Sequence, residues 1–182
     1  MTEAARALTP LYFQRALADE VRKITEGMLF ASPGGGDPVP MQVFCQGLPV
    51  PERPEAGAGD MGTIEYQDGG EEQAVFRCPW CLVRIGGGKV VSINGPQQVE
   101  VAVGFGIYSP SPENRGHEEL LNLIQRVYGR FATDPLLDRQ YTCSGEFEWE
   151  LQDEDTWPYF FGAIGTEFRL PGLQRTNAAK YM

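Results

Sequence analysis

The stretch Gln97-Gln-Val-Glu-Val-Ala-Val-Gly-Phe-Gly-Ile-Tyr108 decides the fold, because its first half alternates apolar and polar side chains. Val99, Val101 and Val103 occupy every second position, which is the period of a β-strand with one buried face. A Pro-rich break at residues 109–116 ends the strand, and an apolar periodic segment follows. This order predicts a sheet with helices packed against it.

Two segments have the spacing of amphipathic helices. The first lies within residues 8–30, and its apolar face comprises Leu17, Val21, Ile24 and Met28. The second runs from residue 116 to about residue 132, and its wide apolar stripe comprises Leu120, Leu121, Ile124, Val127, Tyr128 and Phe131. Each segment is long enough to cover one face of a sheet.

The remaining apolar runs indicate strands at about residues 40–46, 74–85, 89–93 and 146–151, with a last strand ending near residue 174. The run Gly86–Gly88 is expected to stop the strand before it. We therefore predict a single α+β domain over residues 1–182, with a mostly antiparallel sheet of four to five strands flanked by two amphipathic helices. A long Pro/Gly/acid-rich loop at residues 47–73 and a C-terminal tail at residues 176–182 complete it.

The charge balance bears on the class of partner. The chain has 182 residues, with 15 Lys and Arg against 25 Asp and Glu, giving a formal charge of −10. Proteins that bind nucleic-acid backbones use clustered Lys and Arg, so specific DNA binding is not expected. No segment has the apolar length of a signal peptide core or a membrane span. We expect a soluble protein made in a cytoplasm, without a membrane partner.

The pair Cys78-Pro-Trp-Cys81 has the spacing of a dithiol redox site or half a zinc site. A redox thiol is expected at a helix N-terminus, whereas this pair precedes a β-rich run. Thiols three residues apart on one strand point to opposite faces, unless Pro79 forces a bulge. We interpret Cys78 and Cys81 as core or strand residues and keep redox or zinc chemistry as the alternative.

His117 is the only histidine, and its place at a predicted helix start indicates an exposed first-turn residue. With a single histidine, no nucleophile–histidine arrangement stands out. We therefore predict no enzymatic activity, no cofactor and no metal.

Glu146, Glu148 and Glu150 alternate with Phe147, Trp149 and Leu151. Such alternation predicts a strand with one buried face and one acidic face. The acidic face is either simply solvated or the wall of a negatively charged surface. Both interpretations remain open at this point.

A further pattern is the order of six segments: residues 79–85 (Pro-Trp-Cys-Leu-Val-Arg-Ile), 99–108, 116–126, 147–151, 157–162 and 171–175. Together these segments resemble the tail terminators of long-tailed bacteriophages and prophages, a family of small tail-completion proteins. The resemblance covers most of the chain and rests on the order of its segments.

The resemblance implies a structural role in the virion, at the head-proximal end of the tail. Tail terminators form six-membered rings that cap the tail tube, end its polymerisation and join it to the head connector. The implied partners are copies of this chain, the tail tube protein and the connector protein. DNA would pass through the ring unbound, and Glu146, Glu148 and Glu150 are the candidate channel-facing residues. Another head–tail adaptor or minor tail protein is the alternative of the same class.

Overall fold

The computed structural model describes residues 9–49 and 78–173, which form two helices and eight strands. In chain order these are α1 (Pro10–Ile24), β1 (Leu29–Phe30), β2 (Val39–Pro40), β3 (Gln42–Cys45), β4 (Trp80–Val90), β5 (Gln97–Tyr108), α2 (Gly116–Thr133), β6 (Leu136–Leu137), β7 (Tyr141–Leu151) and β8 (Tyr159–Leu170). Most of the predicted 47–73 loop and all of the predicted 176–182 tail lie outside the described residues.

The larger sheet has six strands in the order β3-β4-β5-β8-β7-β6. β3 runs parallel to β4, and the other neighbouring pairs are antiparallel. β1 and β2 form a separate two-stranded antiparallel sheet. The α+β class is thus confirmed, but the predicted sheet of four to five mostly antiparallel strands is wrong, because the sheet is mixed and six-stranded. The two-residue β6 is too short to have a sequence period, and its pairing comes from tertiary contact.

The first helix ends earlier than its apolar pattern predicts. The N–H and the hydroxyl of Thr25 both donate to the carbonyl of Val21, and Gly27 adopts a φ of +78° that turns the chain. α1 therefore ends at Ile24, and Met28, predicted as part of its face, lies beyond it. The apolar period continues past the point where the backbone leaves the helix.

The second helix is confirmed at Gly116–Thr133, but its buried stripe is narrower than predicted. Leu121 is 37% exposed and Tyr128 is 42% exposed, whereas Leu123 is fully buried. The edge of Tyr128 packs against Phe147 of β7, with ring centroids 5.2 Å apart. An apolar strip therefore remains exposed where α2 borders β7.

Both helices cover the same face of the sheet. α1 lies against β3 and β4, and α2 lies against β5, β7 and β8. Between them Phe168 contacts Phe13 and Phe131, with ring centroids 4.9 and 5.2 Å apart. The helix-facing residues of β5 are no more than 4% exposed: Val99, Val101, Val103, Phe105 and Ile107. The core thus occupies one side of a strand that the sequence correctly identified.

The predicted strand stop at Gly86–Gly88 is wrong, because β4 runs through these glycines to Val90. The pairing with β5 shifts by one residue between Ile85 and Gly87, which marks a β-bulge. The separate strand predicted at residues 89–93 is therefore partly the end of β4. A glycine run is compatible with a strand interior when it carries a bulge.

Candidate functional site

The face of the sheet opposite the helices has a floor of small residues. Ala102, Gly104 and Gly106 occupy alternate positions of β5, and their partners on β8 include Gly165 and Ala163. Glycine inside a strand is unfavourable unless something approaches the backbone closely. No helix or strand among residues 9–49 and 78–173 covers this face, which is called the uncovered face below; its small residues suit close contact rather than the stability of the strands.

Trp80 lies across one side of this floor. It is paired with Gly106, and a Cβ added there would lie 2.3 Å from Cε2 of the indole. Its ring centroid is 6.0 Å from that of Phe161. The indole Nε1 is buried and has no hydrogen-bond partner within the described part of the chain. The indole and Phe161 border an open groove of about 540 Å³, with Glu150 and Asp153 also in its lining.

Carboxylates of β7 line the opposite border of the same face. Glu146, Glu148 and Glu150 are all exposed on β7. Glu148 is paired with Gly165 and Glu150 with Ala163, so both side chains point to the uncovered face. The predicted exposure of this row is confirmed, and a role as a channel wall remains a prediction.

The other side of β7 differs from the predicted buried face. Phe147 and Leu151 are partly buried, but Trp149 between them is 58% exposed. Period-2 alternation predicts which residues share a face, but not whether a helix extends far enough to cover them. α2 covers the inner part of this face, and Trp149 remains open to solvent.

The second half of the outer edge of β7 has no pairing strand among the described residues. β6 pairs with Tyr141 and Thr142 only, and beyond Cys143 no described residue bonds this edge. The N–H of Gln152 donates to Phe161 across the β7–β8 ladder, and alternate residues of an antiparallel ladder bond the same neighbour. The odd-numbered residues before it, including Trp149, therefore direct their N–H and C=O groups outward.

On β4 it is the C-terminal half whose outer edge lacks a pairing strand in the part of the chain that the structure describes. β3 pairs with Trp80–Val83, and Gln46 extends the cover as far as Ile85. The side chain of Gln46 donates to the carbonyl of Ile85 and accepts from its N–H, both at 3.1 Å. From Gly86 to Val90 no described residue bonds this edge.

Two positively charged side chains lie on β4, close to its outer edge. Arg84 is paired with Ala102 and Lys89 with Gln98, and both side chains are exposed. Ala102 lies on the uncovered face, and Gln98 lies on it too because it is four positions away on the same strand. Two cations at the β4 edge and two carboxylates at the β7 edge, those of Glu148 and Glu150, thus share one face of the sheet.

The cysteines are placed as core residues rather than as a reactive pair. The Cys78–Pro79 peptide is cis, and both Cys78 and Cys81 are buried. Burial raises the pKa of the Cys78 thiol to about 11 and raises the pKa of Cys81 even further above its ordinary value. A redox cysteine requires a lowered pKa, so these environments oppose the dithiol alternative. Among the described residues no cluster of three or more His, Cys, Asp or Glu side chains is arranged to hold a metal ion.

His117 is exposed in the first turn of α2, as predicted. Gly116 beside it is buried because the ring of Phe160 lies where a Cβ would be, 2.3 Å from Cδ2. The glycine at this position lets α2 approach β8 closely. The helix start thus has a packing role.

Sequence reasoning missed the two open edges and the residues that mark them. The alternation of residues 146–151 predicts a buried Trp149, and Arg84 and Lys89 are not predicted to lie at a strand edge. One signal was available, since a glycine run followed by Lys in a β-rich segment fits an exposed edge with a bulge. Trp149 had no such signal, because its exposure depends on the extent of α2.

No family model matches the chain, and no curated protein is significantly similar to it in sequence. Neither described helix has the length and apolar character required to cross a lipid bilayer.

Proposed function

We propose that this chain is a structural protein of a long-tailed phage that caps the tail tube as a ring. In this role it ends tube polymerisation and joins the tail to the head connector. The observation that carries the proposal is the one-sided sheet, with helices on one face and a charged, small-residue surface on the other. The resemblance of the sequence to tail terminators supplies the biological setting.

A one-sided sheet suits a subunit of a ring around a channel. If the helices face outward, the uncovered face lines the lumen and brings four carboxylates toward it, those of Glu100, Glu148, Glu150 and Glu167, together with three cations, Arg84, Lys89 and Arg169. The carboxylates outnumber the cations, so the wall does not offer the clustered positive charge that holds DNA phosphates tightly. The same wall fits the net charge of −10 of the whole chain.

The proposal includes the setting and the partners. The protein acts in the virion at the head-proximal end of the tail, after synthesis in the host cytoplasm. Its partners are further copies of itself, the tail tube protein and the connector protein. It acts without a cofactor and without catalysis.

The mass of the purified protein, measured by light scattering and accompanied by negative-stain images of the same peak, tests the proposal. We expect rings of six copies, formed alone or on addition of tail tube protein, and we expect these rings at tube ends. A protein that stays monomeric at all concentrations, even with tube protein, would contradict the ring. Rings that never bind tubes would instead favour a head–tail adaptor.

The lumen assignment has its own test. Replacing Glu146, Glu148 and Glu150 together by alanine should slow or impair DNA ejection from particles that contain the variant. Ejection at the native rate from fully assembled particles would remove the channel role of these residues. The double variant Glu113→Ala with Glu154→Ala, which removes exposed acids outside the sheet, serves as the control.

A further inference from the structure

We propose that the open edge of β7 in one copy pairs antiparallel with the open edge of β4 in the next copy. The six-stranded sheets of neighbouring copies then join edge to edge. This inference rests on the ring proposed above, and it names the surfaces that close the ring.

The backbone provides the first argument. Residues beyond Cys143 on β7 and residues Gly86 to Val90 on β4 have no described partner at their outer edges. An edge of free N–H and C=O groups is a template for another strand. Each copy carries two such stretches at opposite sides of its sheet, which is the arrangement that a head-to-tail ring requires.

Strand direction provides the second argument. Three antiparallel steps separate β4 from β7, so the two strands run in opposite directions. A neighbouring copy in the same orientation therefore presents β4 antiparallel to β7. β6 covers the beginning of β7 and β3 covers the beginning of β4, so the open halves lie at opposite ends of the sheet. Pairing them offsets each copy along the strands, and closed barrels require such a stagger.

Charge provides the third argument. On the uncovered face, Lys89 of β4 would lie beside Glu148 and Glu150 of the neighbouring β7, and Arg84 is the cation of the same face just before the open stretch. Opposite charges across strands stabilise the pairing and fix its orientation.

The helix-facing side provides the fourth argument. Trp149 is 58% exposed on β7, and Val90 is 57% exposed at the end of β4. The run Gly86–Gly88 leaves the β4 edge almost without side chains, so a neighbouring indole can approach its backbone. An exposed aromatic residue beside an open edge is typical of an interface rather than of a solvated strand.

The same residues disfavour a symmetric β7–β7 dimer. In that arrangement the carboxylates of Glu148 and Glu150 from both copies would meet on one face. Like charges opposite each other across strands are destabilising. A head-to-tail contact between the β7 and β4 edges avoids this repulsion.

Charge exchange tests the pairing. The β4-reversed variant carries Arg84→Glu and Lys89→Glu, and the β7-reversed variant carries Glu148→Lys and Glu150→Lys. Each places like charges at the proposed contact, so each should weaken self-association at least about tenfold. The quadruple variant exchanges the charges of both edges and should restore rings, measured by light scattering and negative stain.

A matched control changes charge on the same face away from the edges. Glu100→Lys with Glu167→Lys alters two exposed residues that are paired on the central strands β5 and β8, and it should leave the rings intact. Circular dichroism and the thermal midpoint of each variant establish that it is folded.

The outcomes separate the edge pairing from the ring itself. Native rings that survive both reversed variants would overturn the edge pairing and leave the ring proposal standing. Loss of assembly in both reversed variants without recovery in the quadruple variant would also overturn it. A native dimer that only the β7 reversal disrupts would indicate symmetric pairing, and a native chain that never assembles would overturn both proposals.

Discussion

The two faces of β5 differ although they belong to one strand. Toward the helices it presents Val99, Val101 and Val103 in a close-packed core, and toward the other side it presents Ala102 and Gly104 on an open floor. Burying apolar area provides most of the stability of a domain, so the covered face defines the folded monomer. The small residues on the other face add little to it. Contact of the uncovered face with neighbouring copies, as proposed above, would give these small residues a role outside the monomer.

Truncating an aromatic side chain in the covered face should have the largest effect. Phe168→Ala removes a ring that is 1% exposed and contacts two other aromatic rings, so we expect a loss of about 3–5 kcal/mol in unfolding free energy. Trp149→Ala removes a larger ring from an exposed site and should cost the monomer less than about 1 kcal/mol. Equal losses in urea unfolding would remove the distinction between core and edge.

Adding a methyl group to the uncovered face should destabilise the protein at Gly106 but not at Gly104. Gly106→Ala puts a Cβ into the indole of Trp80, and such overpacking costs about 1–3 kcal/mol. At Gly104 the nearest atom of the same indole lies 3.8 Å from the added Cβ, which is ordinary contact. Gly104→Ala should therefore be nearly neutral.

Tryptophan fluorescence reports on the same pair of variants. Trp149 and Trp157 are more than half exposed, so Trp80 contributes the most blue-shifted part of the emission. Gly106→Ala should shift that part to the red by displacing the indole, whereas Gly104→Ala should not. Identical spectra and stabilities for the two variants would contradict the close contact between Trp80 and Gly106.

The ion pair between the two helices should contribute less than the aromatic core. Burial alone would raise the pKa of Glu20, but hydrogen bonds from Arg130 and Lys23 lower it overall. Glu20→Gln should therefore cost about 1–2 kcal/mol at pH 7. Asp19→Asn breaks an exposed pair with Arg22 and should cost no more than about 0.5 kcal/mol.

The pH dependence of Glu20 has a definite sign. Because folding lowers its pKa from 4.5, the carboxylate stabilises the fold above that value. This contribution is lost as the pH falls through the lower folded-state pKa. The difference in unfolding free energy between native protein and Glu20→Gln should therefore shrink as the pH falls from neutral to well below 4.5. A difference that stays constant over this range would contradict the ion pair.

The smallest effect on the monomer is expected at the acidic row. Replacing Glu146, Glu148 and Glu150 by alanine should change the unfolding free energy by no more than about 0.5 kcal/mol per site, because all three are exposed and removing them relieves like-charge repulsion. Thermal unfolding of monomeric protein checks this. A large loss of unfolding free energy would show that these three glutamates stabilise the folded monomer.

Sequence predicts the covered face better than the uncovered one, for a physical reason. Hydrophobic period identified β5 and α2, because burial against a partner requires apolar residues at fixed intervals. The hydrophobic period predicts the wrong structure near Thr25, where the helix ends although the apolar spacing continues. It also predicts the wrong burial for Trp149, because the burial of that side chain depends on how far α2 extends. The sequence predicts that Gly86–Gly88 end the strand, because their role in a β-bulge becomes visible only from the register with β5. The open edges arise because β3 and β6 are shorter than β4 and β7, the strands they pair with. The length of a paired segment depends on the assembled sheet and not on the local sequence.

The bulge at Gly86 determines which side of the sheet the last residues of β4 face. Arg84 and Lys89 are five positions apart, and in a regular strand an odd separation places two side chains on opposite sides. The extra residue restores an even count, so both cations share a side and Val90 shares the side of Trp149. Closing the bulge with all three glycines kept would reverse every later position of β4, turning its lysine toward the helix side and its valine toward the acidic one, whereas deleting one glycine would remove the bulge and leave both sides unchanged. A single residue without a side chain thus sets the parity of an entire edge.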